Sequence, residues 1–257
     1  MRVIPISQLS DNYAYLVIDE STKTAAIVDC SEADKVWPVL ERNGVDLVAV
    51  LPTHHHFDHV GGNEALLEER PGLEVYGHRG EASRIPGCTR EVGEGDRIAI
   101  GKTAAKIIFI PAHTSGHIAY HFEADKSVFT GDTLFAGGCG RLFEGDPAMM
   151  MKSLSKLMSL ADDTKVYFGH EYTEKNLRFA LTLEPGNEAL KKKHAWAVDQ
   201  RNKGETTVPT TIGSEKETNP FFRWTSAELR ASVESKAGRA LDDVGVFAKT
   251  RSLKDDF

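Results

Sequence analysis

The chain has 257 residues, 40% of them hydrophobic, and 31 Lys and Arg against 38 Asp and Glu give a net charge of −7. That content supports one large or two modest domains with a sizeable core and excludes a disordered chain. The acidic balance argues against a polyanion such as nucleic acid as a partner, and three widely spaced cysteines, Cys30, Cys88 and Cys139, form no disulfide framework and fit a reducing compartment. The opening residues Met1-Arg2-Val3-Ile4-Pro5 carry no apolar signal region. No apolar run is long enough to span a bilayer. The expectation is a cytoplasmic monomer with no membrane partner.

In chain order, Val3 to Ile6, Tyr13 to Ile18 and Thr24 to Val28 are short β-branched and aromatic runs, the last two joined by the turn residues Asp19 to Lys23. A helix capped by Ser31, with Asp34 reaching back to it, is expected to run to about Asn43 and end at Gly44. Pro38 fits only in its first turn. The strand Val45 to Leu51 then leads into Thr53-His54-His55-His56-Phe57-Asp58-His59. Side chains alternate along extended backbone, so His54 and His56 point one way and His55 the other. Asp58 and His59 fall where the chain turns, and both can aim back at a common point. Imidazole and carboxylate donors without thiolate suit zinc, iron or manganese, and the pattern frames two metal ions. A helix over about Gly62 to Arg70 and a strand from Leu73 to Tyr76 follow. Alternating strands and helices indicate a layered α/β fold.

From Glu91 glycines punctuate short strands. The strand Lys106 to Ile110 ends at Pro111-Ala112-His113-Thr114-Ser115-Gly116-His117. Ile118 to Phe122 pairs with Ser127 to Thr130, which ends at Gly131-Asp132-Thr133. A glycine-rich loop, Ala136 to Arg141, precedes a helix from about Pro147 to Leu160. The strand Lys165 to Phe168 ends at Gly169-His170-Glu171. His113, Asp132 and His170 thus each follow a strand, a rigid support for a site. Beyond Glu171 strand signals nearly vanish. Helices are expected over Glu174 to Leu183, Asn187 to Lys203, Thr225 to Lys236 (with a Thr225/Glu228 capping box) and Arg239 to Lys249, and Gly204 to Pro220 reads as loop. Lys191, Lys192 and Lys193 read as an exposed helix face.

The set His54-x-His56-x-Asp58-His59, His113, Asp132 and His170, with Asp29 at an early strand end, resembles the metallo-β-lactamase superfamily. His113-Thr-Ser-Gly-His117, Phe129-Thr-Gly-Asp-Thr133, Cys139-Gly140, Gly169-His-Glu-Tyr-Thr173, Glu184-Pro-Gly-Asn187, Asn219-Pro220 and the Arg251/Lys254 segment narrow the resemblance to the glyoxalase II (hydroxyacylglutathione hydrolase) family across essentially the whole chain. The resemblance implies a four-layer αββα sandwich over residues 1–171, followed by a smaller all-α, substrate-binding domain over 172–257. It implies one metal on His54, His56 and His113, and another on Asp58, His59 and His170. Asp132 would bridge them, so that Asp132 and Asp58 are the carboxylates at the reacting centre. Two divalent ions, zinc first with iron or manganese also compatible, would stand about 3.5 Å apart and acidify a bridging water. Hydroxide would then attack the carbonyl of a glutathione thioester such as S-D-lactoylglutathione, releasing glutathione and D-lactate, the second step of methylglyoxal detoxification. Arg141, Phe143, Tyr172, Arg251 and Lys254 would contact the glutathione moiety, with Phe143 standing where some relatives carry tyrosine. Asp29 can orient a ligand histidine, while His55 and His117 read as packing residues.

Rival readings are a mononuclear-iron glutathione persulfide dioxygenase, which uses a smaller ligand set, a ribonuclease, which wants basic character, an exported β-lactamase, and a non-catalytic metal module. The full set of donors disfavours the dioxygenase and the non-catalytic module, the acidic charge and the helical C-terminal part disfavour the ribonuclease, and the lack of an apolar signal region disfavours the exported β-lactamase. Cys139 reads as a small buried residue in a tight loop rather than as a nucleophile.

Overall fold

The computed structural model describes residues 1–257. The first half lays down β1 (Arg2–Gln8), β2 (Asn12–Asp19), β3 (Thr24–Val28), α1 (Trp37–Asn43), β4 (Asp46–Leu51), α2 (Phe57–Val60), α3 (Asn63–Glu69), β5 (Glu74–His78) and β6 (Arg90–Val92). These strands form one six-stranded sheet in the order β1-β2-β3-β4-β5-β6. Then come β7 (Arg97–Ile100), β8 (Thr103–Phe109), β9 (Ile118–Phe122), β10 (Ser127–Gly131), the small hairpin β11 (Leu134–Phe135) and β12 (Gly138–Cys139), α4 (Pro147–Met158) and β13 (Lys165–Phe168). The C-terminal part carries α5 (Thr173–Leu181), α6 (Glu188–Asn202), β14 (Thr210–Thr211), α7 (Ile212–Thr218), α8 (Ala227–Ala237) and α9 (Asp243–Asp255). The second sheet runs β14-β13-β10-β9-β8-β7.

Strand alternation builds the layers. On β2, Tyr13, Tyr15 and Val17 face the other sheet, while Ala14, Leu16 and Ile18 join Leu40 of α1 and Leu66 of α3 on the opposite face. The inter-sheet core is filled with aromatic rings, including fully buried Tyr15, Tyr120, Phe122, Phe129 and Phe168. Burying each such side chain contributes about 1.5–3 kcal/mol. Tyr15 crosses between the sheets and donates from its hydroxyl to the Phe168 carbonyl at 2.5 Å. The ends of β4, β10 and β13 are therefore fixed relative to one another, and these are the ends from which the histidine and aspartate loops depart.

Several expectations need correction. Ser31 does not cap a helix. Its hydroxyl donates to the Asp58 carbonyl, and α1 starts only at Trp37, with Pro38 in its first turn. Gly44 does end α1 in the left-handed region, at φ 58°. The Thr225/Glu228 capping box does not form. Ser226 precedes α8 without capping it, because its hydroxyl is taken by Glu184 and the Glu228 carboxylate accepts from the Gly186 amide. The stretch read as loop from Gly204 to Pro220 holds β14 and α7. Thr210 and Thr211 pair with Val166 and Lys165 on the edge of the second sheet, and the Thr211 hydroxyl caps α7 by accepting from Ser214. The last helix runs from Asp243 to Asp255, capped by Asp242. Arg251 and Lys254 accordingly lie on this helix. Lys193 is turned inward, bonded to Glu215, Thr210 and Thr218, because the buried Glu215 carboxylate needs a cation.

Candidate metal centre

The loop after β4 brings donors together at once. His54 Nε2 and His113 Nε2 each stand 3.1 Å from His56 Nδ1. Donors bound about 2.0–2.1 Å from one tetrahedral ion lie roughly 3.4 Å from each other, so this trio has the spacing of a shared cation. A second trio forms beside it. His59 Nε2 and His170 Nε2 lie 3.6 and 3.3 Å from Asp58 Oδ2. Asp132 sits between the two, with Oδ1 3.4 Å from His59 Nε2, and Oδ2 3.2 Å from His170 Nε2 and 3.6 Å from His113 Nε2. His54, His59 and Asp132 make a third grouping that spans both trios. The buried His59 Nε2 and Asp132 Oδ1 have no hydrogen-bond partner in the protein. Buried polar atoms left unpaired and aimed at one point are the signature of a missing cation. The residues present fit a pair of divalent metal ions.

Local backbone makes this convergence possible. His56 is the residue before the short helix α2, so Asp58 and His59 swing back one turn later. Gly169 allows β13 to pass close beneath the centre. A Cβ there would sit 2.2 Å from Asp132 Oδ1 and 2.8 Å from the His59 ring. At Gly131, where φ is 46°, a Cβ would lie 2.2 Å from the Thr53 hydroxyl.

Behind the donors, hydrogen bonds fix the rings. The Thr53 hydroxyl lies 3.1 Å from His54 Nδ1 and itself donates to Asp29 at 2.9 Å. Asp29 also stands 3.1 Å from His59 Nδ1, the orienting role considered for it. His113 Nδ1 donates to the Arg141 carbonyl at 2.9 Å, and His170 Nδ1 to Asp11 at 2.8 Å. Asn12 donates to the Asp58 carboxylate at 3.0 Å. Sequence reasoning missed Asp11 and Asn12, whose only signal was a polar pair at a turn. His55 points away, paired with the buried Glu81 at 2.9 Å. His117 is buried, stacks on His54 at 4.6 Å, and accepts the Asp132 amide at 3.2 Å.

The electrostatics call for positive charge. Burial works against a charge on His59 and His170, yet the Asp132 carboxylate, with Asp29 beside His59 and Asp58 beside His170, raises them to about 10 and about 12. Burial first, and then the neighbouring imidazoles, push His54 and His117 well below the ordinary imidazole range, and burial together with the His113 and His55 charges takes His56 to about 4. Burial would raise the carboxyls of Asp132 and Asp58, but the neighbouring His170 and His59 hold both below the usual range.

The centre opens into a cavity of about 470 Å³. His56, Asp58, His113, Asp132 and His170 of the two trios line its floor, and Arg141, Phe143, Tyr172, Arg251 and Lys254 line its walls. Phe143 is 61% exposed and sets its ring edge-on to His113 at 5.2 Å. Tyr172 stacks flat on His170 at 4.8 Å. The Lys254 ammonium lies over Phe179 and Phe257, and burial, then the charges of Lys175, Arg251 and Arg178, lower it to about 8. Arg251 is buried, with its guanidinium donating to the Cys139 carbonyl at 2.7 Å and to Asp255 at 3.1 Å. Burial pushes the Cys139 thiol up to about 11 despite Arg251 beside it, so Cys139 is no thiolate.

Residues 9–170 match the family model described as the metallo-beta-lactamase superfamily, and residues 171–257 match that of the hydroxyacylglutathione hydrolase C-terminus. A hydroxyacylglutathione hydrolase of Synechococcus sp. (strain JA-3-3Ab) is 48% identical over 257 residues, covering 100% of both chains. The chain belongs to the hydroxyacylglutathione hydrolase family. Another member, from Gloeobacter violaceus, is 49% identical and likewise covers 100% of both chains. Among solved structures, ETHE1 from Myxococcus xanthus is 26% identical with a TM-score of 0.68, covering 99% of this chain and 98% of its own. TTHA1623, solved in a di-iron-bound form, is 27% identical with a TM-score of 0.62, covering 86% of this chain and 100% of its own. This member of the hydroxyacylglutathione hydrolase family is thus an enzyme on a metallo-β-lactamase scaffold with an added helical part. No helix is long and apolar enough to cross a membrane.

Proposed function

We propose that this enzyme hydrolyses S-D-lactoylglutathione, and related S-2-hydroxyacylglutathiones, to glutathione and the hydroxy acid at a two-metal centre. The observation that carries the reading is the placement of Asp132 between two donor trios that open into one basic, aromatic-walled cavity. His54, His56 and His113 would hold one cation, Asp58, His59 and His170 the other, and Asp132 would reach both. Divalent ions held there would supply Lewis acidity, lowering the pKa of a bound water and polarising the acyl carbonyl. Zinc is the first choice, and the di-iron form of TTHA1623 keeps iron in view; manganese suits the same donors.

The chain's own residues do the rest. Burial of His54 and His59 closes the centre from behind and leaves the cavity as its opening. Asp132 holds its carboxylate fixed by the backbone hydrogen bond to His117. Tyr172 and Phe143 flank the approach with ring faces and edges that fit the glutathione backbone. Lys254 and Arg141 present cations to its carboxylates. Thiolate is a good leaving group, so no strong general acid is required. We take residues 1–171 as the catalytic domain and 172–257 as the substrate-binding domain, with the two-residue strand β14 stitching the second to the first. Three unpaired cysteines support a reducing, cytoplasmic setting.

Loss of thioester absorbance with purified, metal-loaded protein tests this directly. Absence of turnover at full loading defeats the proposal. One iron per chain with oxygen uptake on glutathione persulfide would move the assignment to the dioxygenase.

A further inference from the structure

The two donor trios are held from behind by different chemistry. In the first, His54 and His113 lean on neutral oxygens, the Thr53 hydroxyl and the Arg141 carbonyl. In the second, His59 and His170 lean on carboxylates, Asp29 and Asp11. The remaining donor of that trio, Asp58, receives the Asn12 amide at 3.0 Å on Oδ2, the same oxygen that faces His59 and His170. Asn12 also donates to the Asp58 main-chain carbonyl at 3.0 Å. Both partners are acceptors, which fixes the orientation of the amide. Asp11 and Asn12 are adjacent, at the turn between β1 and β2. That turn is pinned to the segment carrying His170. The Glu171 amide donates to the Asp11 carbonyl and the Tyr13 amide to the Gly169 carbonyl, both at 2.8 Å.

We propose that Asp11 and Asn12 are a pair of positioning residues that serve only the cation of the Asp58, His59 and His170 trio. The Asp11 carboxylate holds the proton of His170 on Nδ1, so the Nε2 lone pair faces the centre and the imidazole becomes a stronger donor. Asn12 holds the Asp58 carboxylate in the rotamer that aims Oδ2 inward. Neither touches the first trio. The asymmetry is thus built into one turn of the N-terminal hairpin, far in sequence from the donors it aims. The proposal rests on the reading of that trio as one ion's ligand set.

The test measures zinc affinity by chelator competition and zinc per chain by elemental analysis, on the full-length protein. His170→Ala is expected to leave one zinc per chain. Asp11→Ala and Asn12→Ala are each expected to weaken one zinc about 10–100-fold while the other keeps its affinity. Asp11→Asn, whose amide oxygen still accepts the Nδ1 proton but lacks the charge, should fall between wild type and Asp11→Ala; it also covers the case in which the alanine variant fails to fold. Asp11→Ala should add nothing in the His170→Ala background and its full effect in a His113→Ala background. Two tightly held zinc ions in both alanine variants, or equal weakening of both ions, overturns the proposal. Two zinc ions retained by His170→Ala overturns the trio assignment itself, and the proposal with it.

Discussion

On the floor of the cavity, His54, His59, His113 and Asp132 are buried, and each is tied by a hydrogen bond or ion pair to a residue behind it. At the mouth, Phe143 and Tyr172 are exposed, and the Arg141 guanidinium lies 3.7 Å from Asp255. The floor must hold several like-charged or strongly polar donors within a few ångströms, which costs too much unless the surrounding structure imposes it. Under the proposed function the mouth would have only to recognise a flexible peptide-like ligand, to which exposed side chains can adapt. Changes to the floor should therefore affect chemistry and metal together, and changes to the mouth should affect affinity alone. A buried network from the helical part joins the two regions. Glu215 accepts from the Gly137 amide at 2.8 Å and from Thr210 at 2.6 Å. Asn219 donates to the Phe135 and Gly138 carbonyls, and Arg251 to that of Cys139. The glycine loop held this way supplies the Arg141 carbonyl that orients His113.

The largest expected effect is at the floor. Asp132→Ala should abolish turnover and lower metal content together, as elemental analysis alongside the thioester assay will tell; a variant that keeps both metals and most of its activity breaks the contrast. Next comes the joint. Glu215→Ala strands Lys193 in a buried site and should destabilise the fold by about 3–5 kcal/mol, read from the shift in denaturant midpoint. An unchanged midpoint would mean the network is not a strut. At the mouth, Lys254→Ala should raise KM about tenfold with kcat unchanged, the scale of one charge-assisted hydrogen bond. Because burial and nearby cations lower the Lys254 ammonium to about 8, the group is charged below that pH and loses its charge above it. The pH profile of kcat/KM should accordingly fall as pH rises through about 8, and Lys254→Arg should move that fall upward; a fall that the arginine variant leaves in place belongs to another group. The smallest effect is Phe143→Tyr, which adds a hydroxyl at the rim and should lower KM by a few-fold at most, on the order of 1 kcal/mol. A change in kcat instead would tie position 143 to the chemistry.

Much was legible in the sequence because it depends on short-range rules. Alternation along extended backbone separates His55 from His54 and His56, and in the structure His55 turns to Glu81 while the other two converge. Strand periodicity located β4, β9, β10 and β13, and with them the loops bearing His113, Asp132 and His170. After residue 172, α6 followed from its cap, Asn187, whereas α7 lay in a stretch read as loop and the last helix starts at Asp243 rather than Arg239. What failed were choices between partners. Ser31 and Thr225 are both plausible caps in sequence, but hydroxyls form whichever hydrogen bond the packed chain offers: Ser31 went to Asp58, and Ser226, the residue that precedes α8, went to Glu184.

The amino-acid sequence by itself determined the donor inventory, the order of elements and the acidic, core-rich character of the chain, since these depend on residue type and local periodicity. Only the tertiary structure decided which residues stand behind the donors. Asp11 reaches His170 across 159 positions of chain and Arg251 reaches Cys139 across 112. Such pairings are set by how the two sheets and the helical part pack, because burial leaves a polar atom few partners and packing decides which of them is near.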